Sequence, residues 1–138
     1  MKQSYSYFQR RRKSLLFGAS LYVILLVLAH STLPSIHVWL MAAVFSVAMN
    51  FTYVTEAYWG KAHFGIEFGI AATLIVASIL GVLVSPVFVI AAIFAHGLWD
   101  ISKHFGAGVP FLSWYTLSCF CVDVMYGGVL ALYWWANY

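Results

Sequence analysis

The sequence predicts an all-α membrane protein, a polytopic bundle of about five transmembrane helices with its N-terminus in the cytoplasm. Three observations predict it. The 138 residues are 64% hydrophobic and only 8% charged, more apolar surface than a soluble domain of this size can hide. The apolar residues fall into segments of about 20, the length that crosses hydrocarbon as a helix. The Lys and Arg residues all fall where one side of such a bundle is expected.

Taken in order, the first span is Ser14–Leu33, ended by Pro34. Its basic prefix resembles a signal peptide, but an apolar stretch of about 20 residues suits a retained span better than a cleaved leader. The second is Ile36–Trp59, ended by Gly60-Lys61, and the third Phe64–Val84, ended by Ser85-Pro86. The fourth is Val87–His104, followed by Phe105-Gly106-Ala107-Gly108, and the fifth Phe111–Trp135. Helices are the form these segments must take, because lipid offers backbone polar groups no partner. The break at Pro86 is the least marked, since proline can also kink one continuous helix. Unbroken, however, residues 64–104 would make a span about twice too long.

With the N-terminus inside, the cytoplasmic places are residues 1–13, the turn at Lys61 and the turn after Lys103, which together hold all seven basic residues. The outer turns, 32–35 and 85–86, hold none. This is the positive-inside pattern of a bacterial cytoplasmic (inner) membrane protein. Trp59, Trp99 and Trp114 fall toward the inner interface, and Trp39, Trp134 and Trp135 toward the outer. Residues 1–13 form a basic cytoplasmic segment and 14–138 a single helical bundle. The run Arg10-Arg11-Arg12-Lys13 sets orientation or touches anionic headgroups, and is no sign of nucleic-acid binding.

Against this apolar background, "AHGLWDISKHFG" (95–106) stands out. His96, Asp100 and His104 recur every four residues and drift by only about 80°, forming one stripe with Lys103 beside it. Glu56 ends the second helix, His63 and Glu67 open the third, and Cys119 and Asp123 follow on the fifth. All four acids therefore belong to the cytoplasmic half. A charge at the bilayer centre costs about 2.5–3.5 kcal/mol, so these groups are expected to face one another rather than lipid. Glu67, Asp100 and Asp123 are expected to converge as the catalytic set. The ligand set expected for a divalent transition metal (zinc, iron or manganese) is His96, Asp100, His104 and Glu67. His96 and His104 are about 12 Å apart along the helix, so one ion takes one of them more readily than both. His63 or Asp123 can complete the set.

Each residue also has a structural reading. Lys103 and His104 can snorkel to headgroups near the negative end of the helix dipole. Glu56 and His63 flank a turn and can be solvated. Asn50, Tyr53 and Tyr126 are expected to hydrogen bond between helices, and Cys119 to pack as a small residue. His30 and His37 fall at the outer interface with no assigned role. Cys119 and Cys121 point to different helix faces, which argues against a disulfide. No nucleotide-binding or hydrolase motif is present.

From "YVTEAYWGKAHFGIEFG" through "HGLWDISKHFGAGVPFLSWYTLSCFCVD" the chain resembles an uncharacterised family of small bacterial multi-pass membrane proteins. The matching positions are Glu67, His96, Trp99, Asp100, His104, Pro110, Cys119 and Asp123. Lys103 stands where the family has a second consecutive histidine, and the spacing of the cysteines from Asp123 differs. The resemblance implies this residue list and no activity.

Two classes of function remain. One is a membrane metalloenzyme or metal-binding protein at the inner leaflet, acting on a lipid-soluble or membrane-proximal substrate. The other is a non-enzymatic subunit whose polar cluster fixes helix packing. Five short helices make a thin bundle, so besides the lipid bilayer a homo-oligomer or larger membrane complex is expected. Gly69, Gly81, Gly127 and Gly128 offer places for close helix contact.

Overall fold

The computed structural model describes residues 9–138, so the first eight residues of the basic segment 1–13 lie outside the described part. The described residues form six helices and no strand. They are α1 (Arg12–His30), α2 (Ser35–Met49), α3 (Phe51–Gly60), α4 (Phe64–Leu83), α5 (Val87–His104) and α6 (Ser113–Asn137). Helices α2 and α3 make one span of 26 residues, Ser35–Gly60, interrupted at Asn50. Five crossings result. Residues 64–104 form two helices, as the length argument requires.

The boundaries follow local chemistry. Pro34 and Pro86 sit at the N-caps of α2 and α5, where a missing N–H costs nothing. Lys61 and His63 both adopt left-handed φ, 50° and 59°, which makes the turn between α3 and α4 abrupt. At the interruption, Asn50 Nδ2 donates to the Ser46 carbonyl at 2.6 Å, while the Asn50 N–H turns to Val47 O at 3.3 Å. The Asn50 side chain thus serves its own helix, instead of bridging two helices. The interhelical bond here joins the Ser46 and Ser78 hydroxyls of α2 and α4, 2.7 Å apart.

Four of the spans are long and apolar enough to cross a membrane on that measure alone. Helix α5 is not among them, because its last turns carry His96, Asp100, Lys103 and His104. Its place in the bundle explains why that is tolerated. Packed between α4 and α6 and touching α2, it buries eight residues, from Val89 to Lys103. Helix α1 is the opposite case. It packs lightly on α6 and α2, and only 11% of its span is buried.

The apolar core lies away from the basic end, where Leu26, Trp39, Ile93, Tyr126 and Leu130 interlock. His30, far from idle, is buried there, its Nε2 3.1 Å from the Tyr126 hydroxyl. Trp39 is buried in the same core rather than placed in an interfacial belt, while Trp59 and Trp135 are exposed. Phe17, Leu28, Leu83, Leu98 and Leu132 are also exposed, as a lipid-facing surface requires. Gly81 and Gly127 abut Val89 and Phe94 of the same chain, whereas Gly69 and Gly128 face open space.

At the other end of the bundle Arg10–Lys13, Lys61 and the end of α5 come together. Reporter fusions test the side of the membrane: those after Lys61 are expected to read cytoplasmic, and those after Ser85 and Tyr138 external. A cytoplasmic signal after Tyr138 would overturn the odd number of crossings.

Candidate functional site

The site is built on α5, where the four-residue spacing puts His96 and Asp100 on one face, and on α6, which supplies Asp123. Gly97 lets the two helices close. A Cβ there would stand 3.1 Å from the Asp123 Cβ, so any larger residue would require Asp123 to give by a few tenths of an ångström. His96 Nδ1 lies 2.9 Å from Asp123 Oδ2 and 3.4 Å from Asp100 Oδ2. One ligand atom from each of the three residues falls within 4.8 Å of the others. All three side chains are buried, and His96 Nε2 has no hydrogen-bond partner.

Tyr53 of α3 completes the surroundings. Its hydroxyl donates to Asp100 Oδ1, and its ring lies nearly parallel to the His96 imidazole, centroids 6.0 Å apart. The same phenol ring also borders a second charge pair. The Lys103 ammonium lies 4.4 Å from the Tyr53 ring centroid and 5.0 Å from that of Trp99, and it is paired with Glu67. Glu67 also accepts from Trp99 Nε1 at 3.0 Å and from the Val109 N–H at 2.7 Å.

One correction concerns Lys103. The sequence sends Lys103 toward the interface and water, but the structure buries it against Glu67 beneath two aromatic rings. Desolvation of that ammonium is compensated by the ion pair and the ring faces together. For Glu56 the sequence allows either solvation at its turn or the inward position expected of the acids. In the structure it is buried, and its Oε1 lacks a hydrogen-bond partner. His63 is exposed at its turn, as expected.

The convergence is therefore partial. Asp100 and Asp123 meet, and Asp123 joins His96 and Asp100 where the sequence reading places Glu67. Glu67 stands apart, its charge matched by Lys103, and His104 is outside the three-residue group, its ring edge-on to Phe105. Tyr53 was not legible as part of the site. Its hydroxyl is one of several in the stretch, with Thr52 and Thr55 beside it, and nothing local distinguishes it from ordinary interhelical bonding.

Gly108 locks the Glu67 pair to the loop after α5. It has φ +64°, and a Cβ there would collide with Glu67 Oε1 and come within 2.8 Å of Trp99 Cζ2 and 3.0 Å of Lys103 Nζ. Gly108→Ala is expected to destabilise the protein by more than about 1 kcal/mol. It should also expose residues 105–112 to protease; unchanged thermal unfolding and cleavage would contradict this role.

Beside the cluster lies a cavity of about 780 Å³ between α1, α2, α3 and α6. His96, Tyr53, Asp123 and Cys119 form its polar wall, while Phe45 and Met49 are among its apolar lining. It reaches the lipid-facing surface through exposed lining residues, Tyr22 and Cys121 among them. Cys119 thus borders the site, although both cysteines are free thiols. Chemically, the four polar wall residues offer one carboxylate, an imidazole, a phenol and a thiol to whatever enters, with Asp100 behind them. No known family model matches the chain, and neither a curated protein nor a solved structure matches it.

Proposed function

We propose that this is a bacterial inner-membrane protein that binds a divalent transition metal through His96, Asp100 and Asp123, and acts through it on a membrane-soluble substrate. The observation that carries the reading is the three-residue cluster, with ligand atoms within 4.8 Å of one another, two of whose members, His96 and Asp123, line a cavity that opens to lipid. Metal–ligand bonds of about 2.0–2.2 Å put neighbouring ligands about 3.0–3.4 Å apart. The spacings of 2.9 and 3.4 Å around His96 Nδ1 are of that size.

Charge supports the same reading. Glu67 and Lys103 are directly paired, which leaves Asp100 and Asp123 sharing the one imidazole of His96. Two carboxylates and a neutral imidazole match a divalent ion with no net charge, the arrangement that a low-dielectric interior favours. Three protein ligands leave further coordination positions, at which an ion polarises water or a substrate oxygen. The cytoplasmic orientation rests on the basic residues gathered at one end. Membership of the uncharacterised family that the second half resembles is part of the same proposal.

One observation favours the non-enzymatic reading. The spacing that fits an ion also makes a hydrogen bond between His96 and Asp123, and Asp100 already accepts from Tyr53. Elemental analysis of protein purified without chelator separates the two. About one equivalent of zinc, iron or manganese per chain is expected; well under one equivalent would leave the packing network standing alone.

A further inference from the structure

The cavity runs along α1 from Ser14 to Tyr22 and along α6 from Trp114 to Asp123. One end therefore lies at the basic face, and the other reaches into the membrane. By helix rise, His96 is about 12 Å from the end of α5 and Asp123 about 15 Å from the start of α6. That depth is about half the thickness of the hydrocarbon core. An occupant spanning the cavity is long, mostly apolar, and has its two ends in different surroundings.

The shallow end is cationic. Arg12 and Lys13 occupy the first turn of α1, where no acidic residue is present and no side chain caps the helix. Basic residues are unfavourable at the positive end of a helix, and an anion beside them relieves the charges. The protein does not supply one. All four of its acids are buried, so none is on the surface beside the basic run. Arg12 instead lies 5.2 Å over the ring of Trp114, which lines the cavity mouth. The deep end has the opposite character, with Asp123 on its wall and His96 Nε2 buried and unpartnered. An acid head at that depth would meet the Asp123 carboxylate; at the mouth it meets Arg12 and Lys13.

We infer that the cavity binds a single-chain anionic amphiphile of the long-chain fatty acid class. Its carboxylate sits against Arg12 and Lys13, and its distal carbons lie beside His96 and Asp123. This names the substrate class for the metal site and rests on that reading for its chemistry. The ion would stand next to the apolar end of the chain, and the head would serve only as the handle.

The test is photolabelling of the purified protein by a palmitic acid analogue with a diazirine near its methyl end. The matching long-chain alcohol and amine serve as comparison probes, and labelled residues are mapped by mass spectrometry. Label is expected on the peptides that carry Tyr22, Phe45 and Val122, about tenfold stronger for the acid than for the alcohol. Arg12→Gln with Lys13→Gln should bring the acid down to the level of the alcohol. Ala19→Trp, at an exposed position of the cavity wall, should abolish cavity labelling by both probes. Equal labelling by acid and alcohol, stronger labelling by the amine, or label spread over the outer faces of α4 and α6 would overturn the inference. So would labelling indifferent to Ala19→Trp. Metal content is measured on the same samples and should not change in these variants, so the ligand and the metal site can fail independently.

Discussion

Replacing Asp123 by asparagine is expected to strip the site of metal, from about one equivalent per chain to below about a tenth, while the protein remains folded. Loss of a group that only hydrogen-bonds to a metal ligand costs about 10–100-fold in affinity, and loss of one of three protein ligands costs at least as much. Asparagine keeps the volume that Gly97 makes room for, and its amide oxygen still accepts from His96. The packing contact therefore survives while the charge is removed. Asp100→Asn is expected to act in the same way, with Tyr53 still able to hydrogen bond to the amide. The informative comparison is a Glu67→Gln, Lys103→Met double variant, which should keep its metal because Glu67 belongs to a separate charge pair. Elemental analysis of the three proteins beside wild type reads this directly. Metal lost from the double variant but kept in Asp123→Asn would return Glu67 to the ligand set and remove Asp123.

Lys103→Met alone is expected to have the largest effect on stability, about 3–5 kcal/mol, because it leaves the buried carboxylate of Glu67 without its cation. Methionine reproduces much of the aliphatic stem, so the aromatic cage of Tyr53 and Trp99 stays filled and the lost charge dominates. Adding Glu67→Gln should recover part of that loss, since a neutral amide needs no counter-charge and its oxygen still accepts from the Val109 N–H, while its NH2 group replaces the oxygen that accepts from the Trp99 indole. Equilibrium unfolding in mixed micelles measures both steps. A single variant as stable as wild type would show that Lys103 is solvated in the membrane, as its position near the helix end suggests. A double variant as weak as the single would place the loss in packing instead of charge.

The spans, their order and their common basic end were legible in the sequence because hydropathy and helix length are properties of contiguous residues. Pro34, Pro86 and the run Arg10–Lys13 act where they stand, whatever the neighbouring helices do. The pairing of His96 with Asp100 was equally legible, since one turn of helix puts them on the same face. Which of the remaining acids completes the site depends on how α4, α5 and α6 are rotated about their own axes, and no local pattern encodes that. Gly97 brings Asp123 of α6 to His96, and Gly108 folds the loop so that Val109 and Lys103 occupy Glu67 instead. Lys103 shows the same division most sharply. Sequence position puts it one residue from the helix end, within reach of water. Its burial was decided by three groups distant in sequence or turned inward by packing: Glu67, the ring of Tyr53 and the ring of Trp99. In a low-dielectric interior a charge goes where its counter-charge is held, and that place is set by the tertiary structure.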